Sequence, residues 1–111
     1  MDYQAKQGDL VWLTFDPQLG REQKGRRPAF IASNNIFNNF TKQVALVCPI
    51  TNTNRSIPIH VELNGHTKTT GVVMCDQAKM LDLKSRKATF IESAPTAVTS
   101  EVCDILIGMI E

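Results

Sequence analysis

The chain has 111 residues and a formal net charge of +1, a length that predicts one domain over residues 1–111 with a single modest core. Apolar residues make up 42% of the sequence and charged residues 21%, which excludes a disordered or fibrous chain. The charge is unevenly distributed. Residues 1–90 hold all twelve Lys and Arg but seven of the eleven acids, a net of +5, and this excess allows a local surface for a polyanion.

Short strands are predicted along most of the chain. Residues 9–15 alternate between two faces, and a turn signal follows at Asp16-Pro17. Further strands, each flanked by turn-forming residues, are predicted at 27–33, 43–51, 56–63, within 71–81 and at 87–93. Pro58 predicts an edge position for the strand at 56–63, because proline cannot donate to a neighbouring strand.

After Pro95 the apolar pattern takes on helical spacing. The apolar positions are Val98, Val102, Ile105, Leu106 and Met109, with Glu101 and Asp104 facing outward. Many short strands without crossover helices predict a mainly β protein, a small antiparallel β-barrel. We expect the barrel over about residues 8–93 and the C-terminal helix over about 95–110.

The cysteines and the N-terminus narrow the class further. Cys48, Cys75 and Cys103 are odd in number and set in apolar runs, which predicts buried free thiols in a reducing compartment. The sequence does not place His60 or His66 beside a thiol, and their spacing suits no structural zinc site, so no metal or other cofactor is predicted. The first residues lack the apolar segment of a signal peptide, and we expect a cytoplasmic protein without a membrane partner.

The segment GREQKGRRPAF, residues 20–30, crowds four cations between the first two predicted strands. Arg27 opens the second strand, so its backbone is held and its planar guanidinium can be directed at a phosphate. Thr51 ends the third strand. On composition alone the cations could form a solvated loop and Thr51 a turn. Together with the carboxylate of Glu22, however, they supply what phosphodiester cleavage without a metal requires, a base for the 2′-hydroxyl and donors for the developing charge.

Three ordered segments resemble the MazF toxins, the endoribonuclease halves of bacterial type II toxin–antitoxin pairs. They are GDLVWLTFDPQLGREQKGRRPAFI, CPIT and VVMCDQAKML, and the likeness runs from about Gly8 to Lys87. The resemblance implies a homodimeric SH3-like barrel that cuts single-stranded RNA without a metal, often within a short preferred sequence. It also implies products with a 2′,3′-cyclic phosphate and a 5′-hydroxyl.

The resemblance further implies roles for individual residues. Arg27 would stabilise the transition state and Thr51 would position the scissile phosphate, with Glu22 as the base. A carboxylate is a weak base for a ribose hydroxyl, so either burial strengthens Glu22 or Arg27 acts mainly by electrostatics while water takes the proton. The expected RNA-binding residues are Arg21, Lys24, Arg26, Asn52, Thr53, Arg55, Gln77 and Lys79. For Gln77 and Lys79 a purely structural role is equally compatible with the pattern.

The implied partner is a MazE-like antitoxin, which would bind through an acidic, disordered C-terminal segment and form a DNA-binding complex with the toxin. We expect this segment to lie across residues 20–27 and the groove between two protomers, where it would exclude RNA.

Two alternatives belong to other functional classes. A gyrase poison of the same fold relies on an exposed C-terminal tryptophan, whereas this chain ends in IGMIE and its one tryptophan is Trp12. A non-catalytic barrel that binds peptide or nucleic acid would need exposed aromatic residues as a docking surface.

Overall fold

A computed structural model describes residues 3–15, 25–53, 56–63 and 65–111. The predicted residues Arg21, Glu22, Lys24 and Arg55 lie outside these ranges. The elements in chain order are β1 Asp9–Thr14, β2 Arg26–Ile31, α1 Asn35–Thr41, β3 Val44–Thr51, β4 His60–Glu62, β5 Val72–Met74, a 3₁₀ turn Cys75–Gln77, β6 Lys79–Asp82, β7 Thr89–Ser93 and α2 Thr96–Ile110.

The seven strands form one antiparallel sheet in the order β4-β5-β3-β2-β1-β7, with β6 paired to the first half of β3. β3 is the centre of this arrangement, since it pairs with β2 on one side and with both β5 and β6 on the other. The mainly β, barrel-like fold with a C-terminal helix therefore confirms the prediction. β4 is an edge strand, as Pro58 indicated.

The central strands are buried on both faces. Leu10, Phe30 and Cys48 point to a cluster closed by β4, β5 and α2. The residues that alternate with them point to a second cluster on the opposite face of the sheet. Its members include Val11, Leu13, Ala29, Ile31 and Val47. A strand with two buried faces needs apolar residues at consecutive positions. This explains the unbroken run VALVCPI in β3.

Two strand predictions were too long. The segment 56–63 is a strand only at His60–Glu62, because the chain turns at Pro58 and Ile59 before it joins β5. The segment 71–81 is not continuous either. A 3₁₀ turn at Cys75–Gln77 separates β5 from β6, so that the chain can pair with two different parts of β3.

The helix α1 was not predicted. Asn34 caps it by accepting a hydrogen bond from the Phe37 amide at 2.8 Å. Its orientation reverses the usual amphipathic rule: Asn38 is buried and hydrogen-bonded to Ser33, while Ile36 and Phe40 are more than 80% exposed. No apolar stripe therefore faces the core for a periodicity search to find.

The helix α2 lies where it was predicted. Val98 and Val102 are buried against the sheet, Ile105 and Leu106 are half-buried, and Met109 is exposed, in contrast to its predicted place on the apolar face. Within the described ranges, no helix is long and apolar enough to span a membrane.

The three cysteines are free, and two of them fit the prediction fully. Cys48 and Cys75 are buried, whereas Cys103 is half-buried and accepts a hydrogen bond from Gln7 Nε2 at 3.4 Å. A hydrogen bond between Cys48 and Cys75, together with burial, raises the pKa of the Cys48 thiol. A buried thiol held in its protonated form is a poor nucleophile, which agrees with a packing role.

Candidate active site

Arg27 and Thr51 lie at the same end of the neighbouring antiparallel strands β2 and β3. The last pairs between these strands are Phe30 with Cys48 and Ala29 with Pro49. Extended by two residues, the same register would put Arg27 opposite Thr51, but the pairing of β2 with β3 ends before that point. On their other edges, Thr51 pairs with Val72 of β5 and Arg27 with Leu13 of β1. The two residues that the sequence singled out thus lie just beyond the last β2–β3 pair.

The guanidinium of Arg27 is exposed and has no hydrogen-bond or ion-pair partner among the described residues. Its backbone is nevertheless fixed by pairing with β1. An exposed arginine on a fixed strand can offer two parallel donors to a phosphate without first breaking an internal contact.

Arg26, its neighbour, is engaged with the protein. Its Nη2 donates to the Lys87 carbonyl at 2.7 Å, to Thr89 Oγ1 at 3.0 Å and to the Trp12 carbonyl at 3.4 Å. Its Nη1 donates to Thr14 Oγ1 at 3.4 Å. Arg26 therefore ties the start of β2 to β1 and to the beginning of β7. Of the two adjacent arginines, Arg26 thus contacts neighbouring segments of the protein, whereas the Arg27 side chain has no such contact among the described residues.

The hydroxyl of Thr51 is oriented by the turn that follows it. Its Oγ1 accepts a hydrogen bond from the Thr53 amide at 3.2 Å, which leaves the hydroxyl hydrogen available to donate. Asn52 and Thr53 are both exposed at the strand end. The Oδ1 of Asn52 accepts from Thr70 Oγ1 at 2.9 Å, so the Asn52 side chain is tied to the segment before β5.

That segment supports the strand end by close backbone contact, which the sequence did not reveal. Gly71 has a φ of +114°, and an added Cβ would lie 2.4 Å from the Thr51 carbonyl oxygen. Only glycine fits such a conformation and approach. The preceding Thr69 donates from its amide and its hydroxyl to Glu92 Oε2, at 2.8 and 3.0 Å, and so anchors the segment to β7. A glycine directly before a strand is a weak signal for a close approach.

The contacts of Glu92 favour its charged form. Burial works against the charge, but hydrogen bonds from Thr69 and the nearby Lys68 outweigh it, and the pKa of Glu92 lies below its ordinary value of 4.5.

Arg86 contacts the end of β1, on the N-terminal side of the cation-rich segment. Its Nη1 donates to the carbonyls of Thr14 and Phe15, the last residues described before the gap at 16–24. Both sides of that gap are thus anchored by arginines, Arg86 on the β1 side and Arg26 on the β2 side. In the sequence Arg86 stands in a polar turn, and nothing near it indicates such a distant partner.

Gln77 and Lys79 are exposed but are not next to Thr51. Lys79 pairs with Val47, four residues back along β3, which is about 13 Å at the usual strand rise. Gln77 closes the 3₁₀ turn. The Oδ1 of the adjacent Asp76 lies 2.9 Å from His60 Nε2, within hydrogen-bond distance. Within the described residues, no three His, Cys, Asp or Glu side chains form a group that could hold a metal ion.

Comparisons with known proteins agree on one family. The sequence profile described as "PemK-like, MazF-like toxin of type II toxin-antitoxin system" matches residues 6–110. The endoribonuclease toxin MazF of Escherichia coli K12 is 39% identical over 87 residues, which cover 78% of this chain and 77% of that protein. The endoribonuclease PemK of Escherichia coli is 36% identical over 101 residues, which cover 87% of this chain and 75% of PemK.

The fold agrees equally well with a solved structure. A MazE–MazF crystal structure from Deinococcus radiodurans superposes with a TM-score of 0.88 at 39% identity and covers 98% of this chain and 97% of its own. The profile match spans nearly the whole sequence, and both relatives exceed 30% identity over most of their lengths. The chain belongs to the PemK-like, MazF-like toxin family of type II toxin–antitoxin systems.

Proposed function

We propose that this chain is the toxin of a type II toxin–antitoxin pair and an endoribonuclease that cuts single-stranded RNA in the cytoplasm. The observation that carries the proposal is the difference between two adjacent arginines. Arg26 is hydrogen-bonded to neighbouring segments, whereas the Arg27 side chain has no partner among the described residues and lies at the same end of β2 and β3 as Thr51. Relatives that share 36–39% identity bear the name endoribonuclease, which supports the same activity for this chain.

The reaction follows from the chemistry of RNA itself. The 2′-hydroxyl attacks the adjacent phosphorus, an O2′–P bond forms, and the O5′–P bond breaks to leave a 2′,3′-cyclic phosphate and a 5′-hydroxyl. The proton lost from the 2′-hydroxyl passes to a base, and a second proton reaches the departing O5′. Because the nucleophile belongs to the substrate, the protein does not have to activate a metal-bound water.

Arg27 and Thr51 would act on the phosphate. The Arg27 guanidinium would donate to a non-bridging oxygen, where charge builds up in the transition state, and can stand close to the departing O5′. The Thr51 hydroxyl would donate to the same phosphate and fix its position. We assign the proton from the 2′-hydroxyl to Glu22, which lies outside the described residues.

The remaining predicted residues would bind the rest of the RNA. Asn52 and Thr53 are exposed next to Thr51 and suit contacts with a base or sugar. Arg21, Lys24 and Arg55 would attract the phosphate backbone. Arg26, Gln77 and Lys79 are the weaker members of the set, the first because its donors are engaged and the other two because they lie away from Thr51.

We further propose a homodimer that is controlled by a MazE-like antitoxin. Related chains occur in MazE–MazF complexes, which supports the partner. An acidic antitoxin segment across residues 20–27 would place carboxylates where RNA phosphates bind, so inhibition would be competitive. A ternary complex of toxin, antitoxin peptide and uncleaved RNA at full occupancy would contradict that arrangement.

The activity is tested by incubating the purified protein with a long single-stranded RNA in excess chelator and mapping the ends. The proposal expects discrete cuts with cyclic phosphate and 5′-hydroxyl ends. Activity that appears only on addition of Mg²⁺ or Mn²⁺, or ends with a 5′-phosphate, would contradict it.

A further inference from the structure

A pocket of about 470 Å³ opens between the N-terminal segment, the end of α1 and the turn from β6 to β7. Its walls carry three lysines, Lys42, Lys84 and Lys87, together with Tyr3 and Gln43, and the described lining residues include no acid. We propose that this lysine pocket is a second RNA-binding site, which holds backbone phosphates of the same substrate strand several nucleotides away from the cut. The inference rests on the proposed ribonuclease function.

Two of the three lysines have a positive backbone φ, which residues other than glycine seldom adopt. Lys42 has a φ of +69° directly after α1, and its amide donates to the Asn38 carbonyl at 2.9 Å. Lys87 has a φ of +55° in the turn before β7, with its amide on the Lys84 carbonyl at 3.1 Å. Such positions favour glycine or asparagine, and residues held there against their preference concentrate at functional sites.

The neighbouring carboxylates are turned away to local backbone partners. Asp82 Oδ1 accepts from the amides of Lys84 and Ser85, at 3.0 and 3.1 Å. Asp9 is 5% exposed and accepts from the hydroxyl of Tyr3 and from the amide of Lys6. Among the described residues, no carboxylate pairs with any of the three lysines, whose charges are therefore available to a ligand.

The pocket is linked to the candidate active site through one wall. The carbonyl of Lys87 accepts the 2.7 Å hydrogen bond from Arg26, the chain neighbour of Arg27. The far wall of the pocket lies at Gln43, directly before β3. Gln43 is eight residues from Thr51, which corresponds to about 26 Å at the usual strand rise. Single-strand sites on OB-fold barrels cover roughly 4–16 nucleotides, and a strand in that range is long enough to occupy both places.

An aromatic surface next to the lysines favours RNA over an acidic peptide. Tyr3 lines the pocket and stacks on Phe90, with ring centroids 6.3 Å apart and an interplanar angle of 29°. Phe90 is nevertheless 53% exposed, so part of its ring remains open to solvent. Cations that follow a backbone beside an aromatic ring on which a base can stack are the features of single-strand binding sites.

The test is a binding measurement on RNA that cannot be cut. A 2′-O-methyl RNA of about 20 nucleotides and one of about 5 nucleotides are titrated at several salt concentrations, so that the longer strand alone spans both sites. The pocket variant is K42N/K84Q/K87N, because asparagine removes the charge but tolerates positive φ. Lys84→Gln is a milder second variant, and Lys68→Gln is the control, since Lys68 is exposed and lies outside the pocket.

Each phosphate contact on a single strand contributes about 0.7 to the slope of log Kd against log salt. For the longer RNA, the triple variant is therefore expected to lower this slope by roughly 2, and Lys84→Gln by about 0.7. The shorter RNA and the Lys68→Gln control are expected to behave like wild type. Thermal melting of each variant verifies that it is folded.

Three results would overturn the inference. If wild type cleaves RNA in chelator but the pocket variants keep the wild-type salt slope, the ribonuclease stands and the pocket is not an RNA site. If the variants lose affinity only for an acidic antitoxin peptide, the pocket serves the antitoxin. If wild type neither binds nor cleaves RNA, the proposed function fails and the second site fails with it.

Discussion

Gly71 gives the sharpest test of how the site is held, because its substitution by alanine has two separable costs. Alanine at a φ of +114° costs about 1–3 kcal/mol in backbone strain. Its Cβ would also lie 2.4 Å from the Thr51 carbonyl oxygen and 2.9 Å from the carbonyl carbon, so one of the two segments must move. Overpacking of this kind costs a further ~1–3 kcal/mol, and we expect a total loss of about 2–6 kcal/mol.

Two other glycines provide matched controls. Gly65 also has positive φ, +76°, but an added Cβ would meet nothing within 4 Å, so Gly65→Ala is expected to cost only about 1 kcal/mol. Gly108 lies in α2 with open space around it, and Gly108→Ala is expected to stabilise the protein by about 0.5–1 kcal/mol.

The assay is urea denaturation of the three variants, followed by RNA cleavage at a temperature where each is folded. The atoms that an added Cβ would displace belong to Thr51. We therefore expect the folded Gly71→Ala protein to cleave RNA more slowly than wild type, whereas folded Gly65→Ala should cleave at the wild-type rate. A Gly71→Ala variant as stable and active as Gly65→Ala would refute the close contact and its role.

Further predictions concern the residues around that contact. Thr51→Val, nearly the same size, should lose cleavage while unfolding within about 1 kcal/mol of wild type, and retained cleavage would remove Thr51 from the mechanism. Arg26→Ala should cost about 1–3 kcal/mol in urea denaturation, and Arg26→Lys should not restore it, since one ammonium group cannot reach acceptors on β1, on β7 and at Lys87 together. Full recovery with lysine would show that charge alone matters. The lowered pKa of Glu92 means that its contribution to stability is present above pH 4.5 and disappears as the pH falls through the folded value. The difference in urea stability between wild type and Glu92→Gln should therefore shrink as the pH falls below 4.5, and a constant difference would contradict the assigned contacts.

The predictable part of the fold is the part that depends on local pattern. Alternation located β1, and the doubly buried run of β3 was recognisable because strands with two covered faces stay apolar throughout. The helix α1 was missed for a physical reason: Asn38 takes the buried position and bonds with Ser33, so the sequence resembles a polar loop. The break at Cys75–Gln77 was also hidden, because it allows β5 and β6 to pair with two different parts of β3, a strand that is distant in sequence.

The same distinction applies to the candidate site. Arg27 and Thr51 were named from residue type and family resemblance, and they lie at the same end of β2 and β3, just beyond the last pair between these strands. The supporting residues could not be found this way. Arg86 reaches back more than seventy positions to the end of β1, and Gly71 meets Thr51 across twenty. Such contacts are created by the sheet topology and leave little trace in local sequence.

The central claim is that the protein cuts RNA by attack of the substrate's own 2′-hydroxyl, with Arg27 at the phosphate. The most direct measurement uses a chelator-treated protein and two versions of one cleaved oligonucleotide, which differ only by a 2′-deoxy substitution on the 5′ side of the scissile phosphate. We predict that the ribose version is cut to a cyclic phosphate and a 5′-hydroxyl, that the deoxy version is not cut, and that folded Arg27→Ala cuts neither. Equal cleavage of the two versions by wild type, or undiminished cleavage by Arg27→Ala, would contradict the account.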